Sequence, residues 1–563
     1  MRFEPEDPPF YACGMVSRVS SALGLCLALA ACGGKAPEPV TPPEPAPVAG
    51  PAPASGPDPW AVRAPLAREE LPAAPPSYPV TRRALPSPAG LAPPPAACRA
   101  FGRPASGGSC GERAAALEAL SAALAETEAA QRDAELAALE TCAVFPPGLV
   151  LALRAELAPV ECGDRIVAAA IASPPPGVEG PAYDTLVGLG VAGMLARSVR
   201  QPPQLAPPHD KERVKKFIDE KLKAWITQQA GIIQQLSEVG ATLKHYGQAV
   251  VAVEAGMADM RFIEAVRGVP VPEEFRKDKE LEETYLDSLE DAFEPRKRRG
   301  RDAALVGLGR LATIGVIRDE RVTRARELLS RMYGGSPIDA LDALVMPPLA
   351  PSPPTTPEGK LAARLQAHYA GQLFPGEAAR DDALLRQLVE KGLSLPHRIA
   401  LANGVESPTA RGLVARARLE LGQNYWRAVD FDEALRPLVD WPTSTPMPED
   451  VRLIFALGIA LRGGPQNAAE MMEKAPIKAL GIGRVEALDA LADEGGALSG
   501  HAAFDAALIA QLAAPRDATA DYWHKIAARY RVAADKLVDL PLKRDAEARA
   551  SEADQVAAAI GAR

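Results

Sequence analysis

Twenty of the chain's 56 prolines fall between residues 35 and 95, mixed with alanine, glycine and glutamate. Proline fixes φ and has no N–H, so it does not fit a helix interior or a central strand. This stretch is therefore expected to bury no core and to run as a semi-stiff, polyproline-like disordered tether over residues 32–97. At roughly 3.1 Å per residue its reach is at most about 190 Å. Beyond it, prolines punctuate rather than dominate. Much of the 47% apolar content is alanine, the best helix former. Sustained period-2 alternation is absent and β-branched runs are few, so the expected fold is all-α.

Helical spacing and breakers divide the remainder of the 563 residues into three pieces. In residues 98–200, Leu117, Leu120 and Leu124, then Leu136 and Leu139, recur at helical spacing. Shorter helices are expected at 149–157, 164–172 and 183–196, separated by "FPPG" and "SPPPG". Residues 210–345 carry stripes formed by Val214, Ile218, Leu222 and Trp225, and by Leu281, Tyr285, Leu289 and Ala292. Asp319 is placed to cap a helix bearing Val322, Ala325, Leu329 and Met332. The run "MPPLAPSPPTTP", 346–357, reads as a linker. In residues 358–563, Ser407-Pro408 marks a helix start.

The chain's opening bears on location. From Met15 it reads "MVSRVSSALGLCLALAAC", with cationic Arg18 and an apolar run, 23–31, too short to span a bilayer. Residues 1–14 carry Glu4, Glu6 and Asp7 and do not look like the cationic start of a signal peptide, so translation is expected to begin at Met15. Leu29-Ala30-Ala31-Cys32 resembles the bacterial lipobox. The resemblance implies that residues 1–31 are a cleaved signal peptide and that Cys32 is acylated. Each buried methylene then contributes about 0.8 kcal/mol to membrane anchoring. Gly33 and Gly34 follow, with no Asp, which by the same resemblance implies the outer membrane, facing the periplasm, rather than the inner.

The mature chain holds Cys98, Cys110, Cys142 and Cys162 besides Cys32. They form no C-x-x-C, which argues against a metal site. In an oxidising compartment two disulfides are the better reading. Three pairings are open. Cys98 with Cys110 would close a small Gly-rich loop, and Cys142 with Cys162 would staple neighbouring helices.

One stretch, "ARLELGQNYWRAVDFDEALRPLVDWPTSTP", is more specific. Leu421-Gly422-x-x-Tyr425, then Phe431, Ala434 and Leu438, then Pro446, resembles the tetratricopeptide repeat. The resemblance implies two antiparallel helices that approach closely at the small Gly422 and Ala434. Leu421, Tyr425, Phe431 and Leu438 fill the gap to the next pair, and Pro446 stops the second helix. Gly422→Leu and Ala434→Leu are then expected to overpack the core, and Gly422→Ala to be mild. Partial echoes occur at Trp523, Ile526, Ala527 and Tyr530 (with Asp539 where a small residue belongs), at Leu457, Gly458 and Leu461, and at Val239, Gly240, Leu243 and Ala252. Stacked repeats bury a continuous core, so an irregular α-solenoid is expected.

Other chemistry is thin. Gly188-x-Gly190-x-x-Gly193 lies in helical sequence and reads as close helix packing rather than a dinucleotide fingerprint, which follows a strand. "GGSCG" around Ser109 follows the tether and has no triad partners in view. The six histidines (His209, His245, His368, His397, His501, His524) are scattered singly. Residues 296–301, "RKRRGR", place Arg296, Lys297, Arg298, Arg299 and Arg301 after an acidic stretch. They form either a polyanion-docking patch or a solvated turn balanced by that stretch. The net charge of −9 gives no case for nucleic acid. No catalytic residue, metal or cofactor is expected. The resemblances imply a membrane-anchored periplasmic scaffold that joins envelope proteins in an assembly, secretion or motility machine. The alternatives are a regulator of a cell-wall synthase or hydrolase, and an enzyme without a recognised motif.

Overall fold

The computed structural model describes residues 58–62, 65–68, 78–79, 82–104, 110–199, 202–333, 341–349, 352–374, 381–393, 407–463 and 483–562. Cys32 with its lipobox, Ser109 and His397 lie outside them. The described residues are all-α, and the one extended pairing among them is an isolated bridge between Val316 and Leu393.

Pro59–Arg563 form one compact unit. Helices α1 (Arg113–Ala125), α2 (Ala129–Leu139), α3 (Leu149–Leu157) and α4 (Gly163–Ala172) lead to α5 (Gly180–Arg197), which is buried on nearly every side. Helix α6 (Lys211–Phe217) passes through a π turn, Ile218–Leu222, into α7 (Lys223–Ala241). Helix α8 (His245–Arg267) then packs between α5 and the long α10 (Lys279–Ile314), with the short α9 (Glu273–Arg276) before it. The glycines of α5 are where this happens. A Cβ on Gly188 would stand 2.5 Å from the Gly247 Cα of α8, so only glycine allows the two backbones to meet. Helix α11 (Glu320–Tyr333) starts at Asp319, whose carboxylate accepts from the Val322 N–H at 2.7 Å.

The second half continues through α12 (Pro357–Ala362), α13 (Ala367–Leu373) and α14 (Asp382–Lys391) to α15 (Pro408–Tyr425), α16 (Ala428–Val439) and α17 (Glu449–Leu461). It ends with α18 (Glu486–Asp493), α19 (Ser499–Leu512), α20 (Ala520–Lys536) and α21 (Leu540–Gly561). Helix α21 docks on α20 through Ala546, Ala550, Ala553 and Ala557, one buried stripe of small side chains at helical spacing.

The structure departs from several sequence-based expectations, and it selects one of the three open disulfide pairings. The run 346–357 is not a free linker. Leu349 and Met346 pack on the core, the Val345 N–H donates to Asp505 at 2.8 Å, and Arg416 donates to the Pro347 carbonyl. Proline removes donors but leaves carbonyls, and side-chain donors of the body reach them. Accordingly the three pieces share one hydrophobic core. The stripe Leu281, Tyr285, Leu289, Ala292 is only partly covered: Leu281 is 48% exposed, Leu289 packs on the edge of the core, and the fully buried positions of α10 begin at Gly300. The disulfides are Cys98–Cys162 and Cys110–Cys142, with Cα separations of 5.2 and 5.6 Å. Cys98 sits in a 3-10 turn, Ala96–Ala100, that lies beside the Val160–Cys162 turn, so the nearer partner in space is the more distant one in sequence.

Candidate interaction surface

Helices α15 and α16 form the hairpin that carries the repeat-like pattern. The Ser407 hydroxyl caps α15 by accepting from the Ala410 N–H at 3.0 Å, and Pro408 takes the first turn. Leu421, Tyr425, Phe431, Ala434 and Leu438 are all buried. A Cβ on Gly422 would meet the Phe431 ring at 2.5 Å, so Gly422 is small to admit this ring rather than to face Ala434. The Tyr425 hydroxyl donates to the Val316 carbonyl at 2.6 Å and ties the hairpin to the end of α10. On the next helix, a Cβ on Gly458 of α17 would stand 2.7 Å from Leu435 of α16. Pro446 does not stop α16, which ends at Val439; Pro442 already follows, and Pro446 lies in the turn before α17. Ile526, Ala527 and Tyr530 are buried on α20, but Asp539 is the N-cap of α21, accepting from Leu542 at 2.8 Å, because α20 runs on to Lys536. A Cβ on Gly240 of α7 would meet Val251 of α8.

The expected tether is partly a strap. From Pro59 to residue 97 its described residues lie on the helical body. The Trp60 ring stacks on Phe455 with centroids 6.0 Å apart, and the Arg452 guanidinium lies 5.2 Å from the Trp60 ring centre. Arg452 is itself held by Glu494, whose hydrogen bond keeps it charged and in place. Five residues on, three charged side chains read the strap backbone. The Ala67 N–H donates to Asp432 Oδ2 at 2.7 Å, Arg436 donates to the Ala67 carbonyl at 2.7 Å, and Arg462 donates to the Pro65 carbonyl at 2.9 Å. Asp432 and Arg436 stand one turn apart on α16, and Arg462 caps α17, bonded to Asp432 at 2.7 Å.

A second stretch docks on α5. The Tyr78 hydroxyl donates to Asp184 at 2.7 Å, and burial together with the Asp184 charge raises its pKa far above the ordinary range. The Arg83 N–H donates to the Tyr183 hydroxyl at 3.0 Å. Arg197, buried and bonded to Asp164 at 2.6 Å, donates to the Ala92 carbonyl at 3.0 Å. Trp60 and Tyr78 are the two aromatic residues of the proline-rich tract, and both dock. That was the available signal: an aromatic side chain carries a large apolar area that favours burial even in a segment with no helix or strand of its own.

The basic run lies inside α10 and not in a turn. Its charges are answered within the molecule. Arg296 and Arg299 converge on buried Asp259 of α8, Lys297 reaches Glu290 at 2.8 Å, Arg298 pairs with Glu294 and Arg301 with Asp302. Arg296 also lies 3.9 Å from the centre of the Phe262 ring. This accounts for the run without a polyanion. A denser ionic centre was not legible in the sequence. Arg321 of α11 lies 2.6 Å from Glu156 of α3 and 3.5 Å from Glu254 of α8, and the hydroxyls of Tyr246 and Tyr369 donate to Glu156 at 3.1 and 3.2 Å. Burial and the Glu156 charge push both tyrosines well up. With Glu156 6%, Arg321 5% and Glu254 0% exposed, the centre ties four helices together. His368 stacks on Tyr246 at 3.7 Å, and burial lowers its pKa. Among the described residues no group of His, Cys, Asp or Glu is arranged to hold a metal, and no helix is long and apolar enough to cross a membrane. Comparison with family models, with characterised proteins and with solved structures finds no match to this chain.

Proposed function

We propose that this chain is a lipid-anchored interaction scaffold of the bacterial cell envelope, held at the outer membrane by Cys32, with a body of tetratricopeptide-like helical hairpins arranged as an irregular solenoid. The observation that carries the reading is the packing of α15, α16 and α17. Gly422 admits Phe431 and Gly458 admits Leu435, so consecutive helices interlock through small positions as a repeat array requires. The lipobox-like Leu29-Ala30-Ala31-Cys32 supplies the anchor, and two disulfides suit an oxidising compartment. Its partners are envelope proteins, and its role is binding rather than catalysis.

Two measurements on cells producing the chain test this. A clickable palmitate analogue should label the protein, and Cys32→Ala should abolish the label; equal labelling of the variant contradicts the anchor. Capture after in-cell crosslinking should enrich outer-membrane assembly, secretion or motility proteins. Enrichment of a cell-wall synthase or hydrolase instead would turn the reading to regulation of that enzyme.

A further inference from the structure

We propose that the face made by α16 and α17 is a binding groove for an extended, proline-containing segment of another chain, and that residues 59–62 and 65–67 are its resident occupant. The inference rests on the scaffold reading and names the kind of partner it serves. What the groove reads is generic. At residues 65–67 the contacts of Asp432, Arg436 and Arg462 are with the backbone: the Ala67 N–H and the carbonyls of Pro65, Leu66 and Ala67. The aromatic seat between Phe455 and Arg452 takes one tryptophan five residues earlier. Any extended segment with an aromatic residue, a proline and an open N–H at that spacing presents the same groups.

The groove is also built to stand open. If residues 59–62 and 65–67 leave, Asp432 keeps Arg462 at 2.7 Å, Arg436 keeps Glu433 at 3.3 Å and Arg452 keeps Glu494. No charge is stranded, so release does not incur the penalty of an unpaired buried ion. The occupant contributes only half-buried side chains, Trp60, Val62 and Leu66, packed on the edge of the core. The strap is separately fastened at Tyr78, Arg83 and Ala92, so residues 59–62 and 65–67 can leave without freeing those anchors. Being covalently attached, the resident segment competes at an effective concentration on the order of millimolar. A partner therefore engages only when it binds tightly or is itself concentrated at the same membrane.

The probe is a fluorescein-labelled synthetic peptide of residues 57–68, PDPWAVRAPLAR, titrated into the full mature chain and followed by anisotropy. Wild type should bind it weakly. Trp60→Ala, which vacates the groove, should bind it at least tenfold more tightly. Adding Arg462→Ala to that variant should remove the gain, as should a peptide with proline in place of Ala67, which lacks the N–H read by Asp432. If Trp60→Ala does not fold, Ala67→Pro in the chain releases the same segment and serves in its place. Equal binding by wild type and the released variants, or binding that survives Arg462→Ala, overturns the proposal. A concentration-dependent dimer of wild type that Trp60→Ala abolishes would assign the groove to a second copy and overturn the partner assignment. Palmitate labelling and the crosslinked partners are read independently, so failure here leaves the scaffold reading standing.

Discussion

Gly422 and Phe431 meet so closely that one methyl group decides the fit. A Cβ at 422 would lie 2.5 Å from a ring that is itself buried. Gly422→Ala is therefore expected to cost about 1–3 kcal/mol by overpacking, despite alanine's better helix propensity. Adding Phe431→Leu should recover part of that loss, and urea unfolding of the two variants measures it. This reverses the mild effect expected from sequence. The repeat pattern identifies Gly422 as a small position but not which atom faces it. Two titratable groups, half-buried His368 and buried Asp505, give slopes of opposite sign. Burial lowers the pKa of His368, so between its native value and about 6.5 the unfolded chain binds the extra proton and stability falls on acidification. Burial raises that of Asp505, so above about 3.9 the native state holds the extra proton and stability falls as pH rises. Between pH 5 and 6.5, His368→Phe should make the stability–pH slope less positive and Asp505→Asn more positive, each by up to one proton. His501, also lowered by burial, contributes with the sign of His368 in every variant. Parallel curves for all three proteins would contradict both assignments.

Among the elements, α10 shows what a one-dimensional pattern conveys and what it omits. Its helical period is plain, and the Leu281 stripe has the spacing of a buried face. Yet 36 residues extend about 54 Å, and α8 covers only the second part. Length against a partner, not periodicity, sets which turns are buried. The basic run sits where the cover begins, and its partner Asp259 is 40 residues from Arg299 in sequence and invisible to local reading. Asp259→Ala leaves two guanidinium groups without their carboxylate, and a loss of about 3–5 kcal/mol is expected. Arg298→Ala, on the solvent side of the same helix, should leave the unfolding midpoint unchanged. Equal effects of the two changes would mean that the run faces outward as a whole. Helix existence and caps were legible, as at Ser407 and Asp319, because those signals are local. The disulfide pairing and the strap were not, because both depend on which distant backbone comes near.

At the scale of the molecule, Pro59–Arg563 are one body with a strap laid on it. Proline richness is a sound sign that a segment forms no helix or strand. It does not decide whether the segment lies free, since its carbonyls can still accept from arginine and its occasional tryptophan or tyrosine can still dock. The same holds at 346–357, where Arg416 and the packed Met346 and Leu349 fasten a run that reads as a hinge. Limited proteolysis of the chain, with each product's ends identified by mass, tests this most directly. The first stable product should begin near residue 58, retain residues 82–104, and remain uncut between 341 and 362. A first product beginning near residue 98, or early scission within 346–357 into two stable pieces, would contradict it.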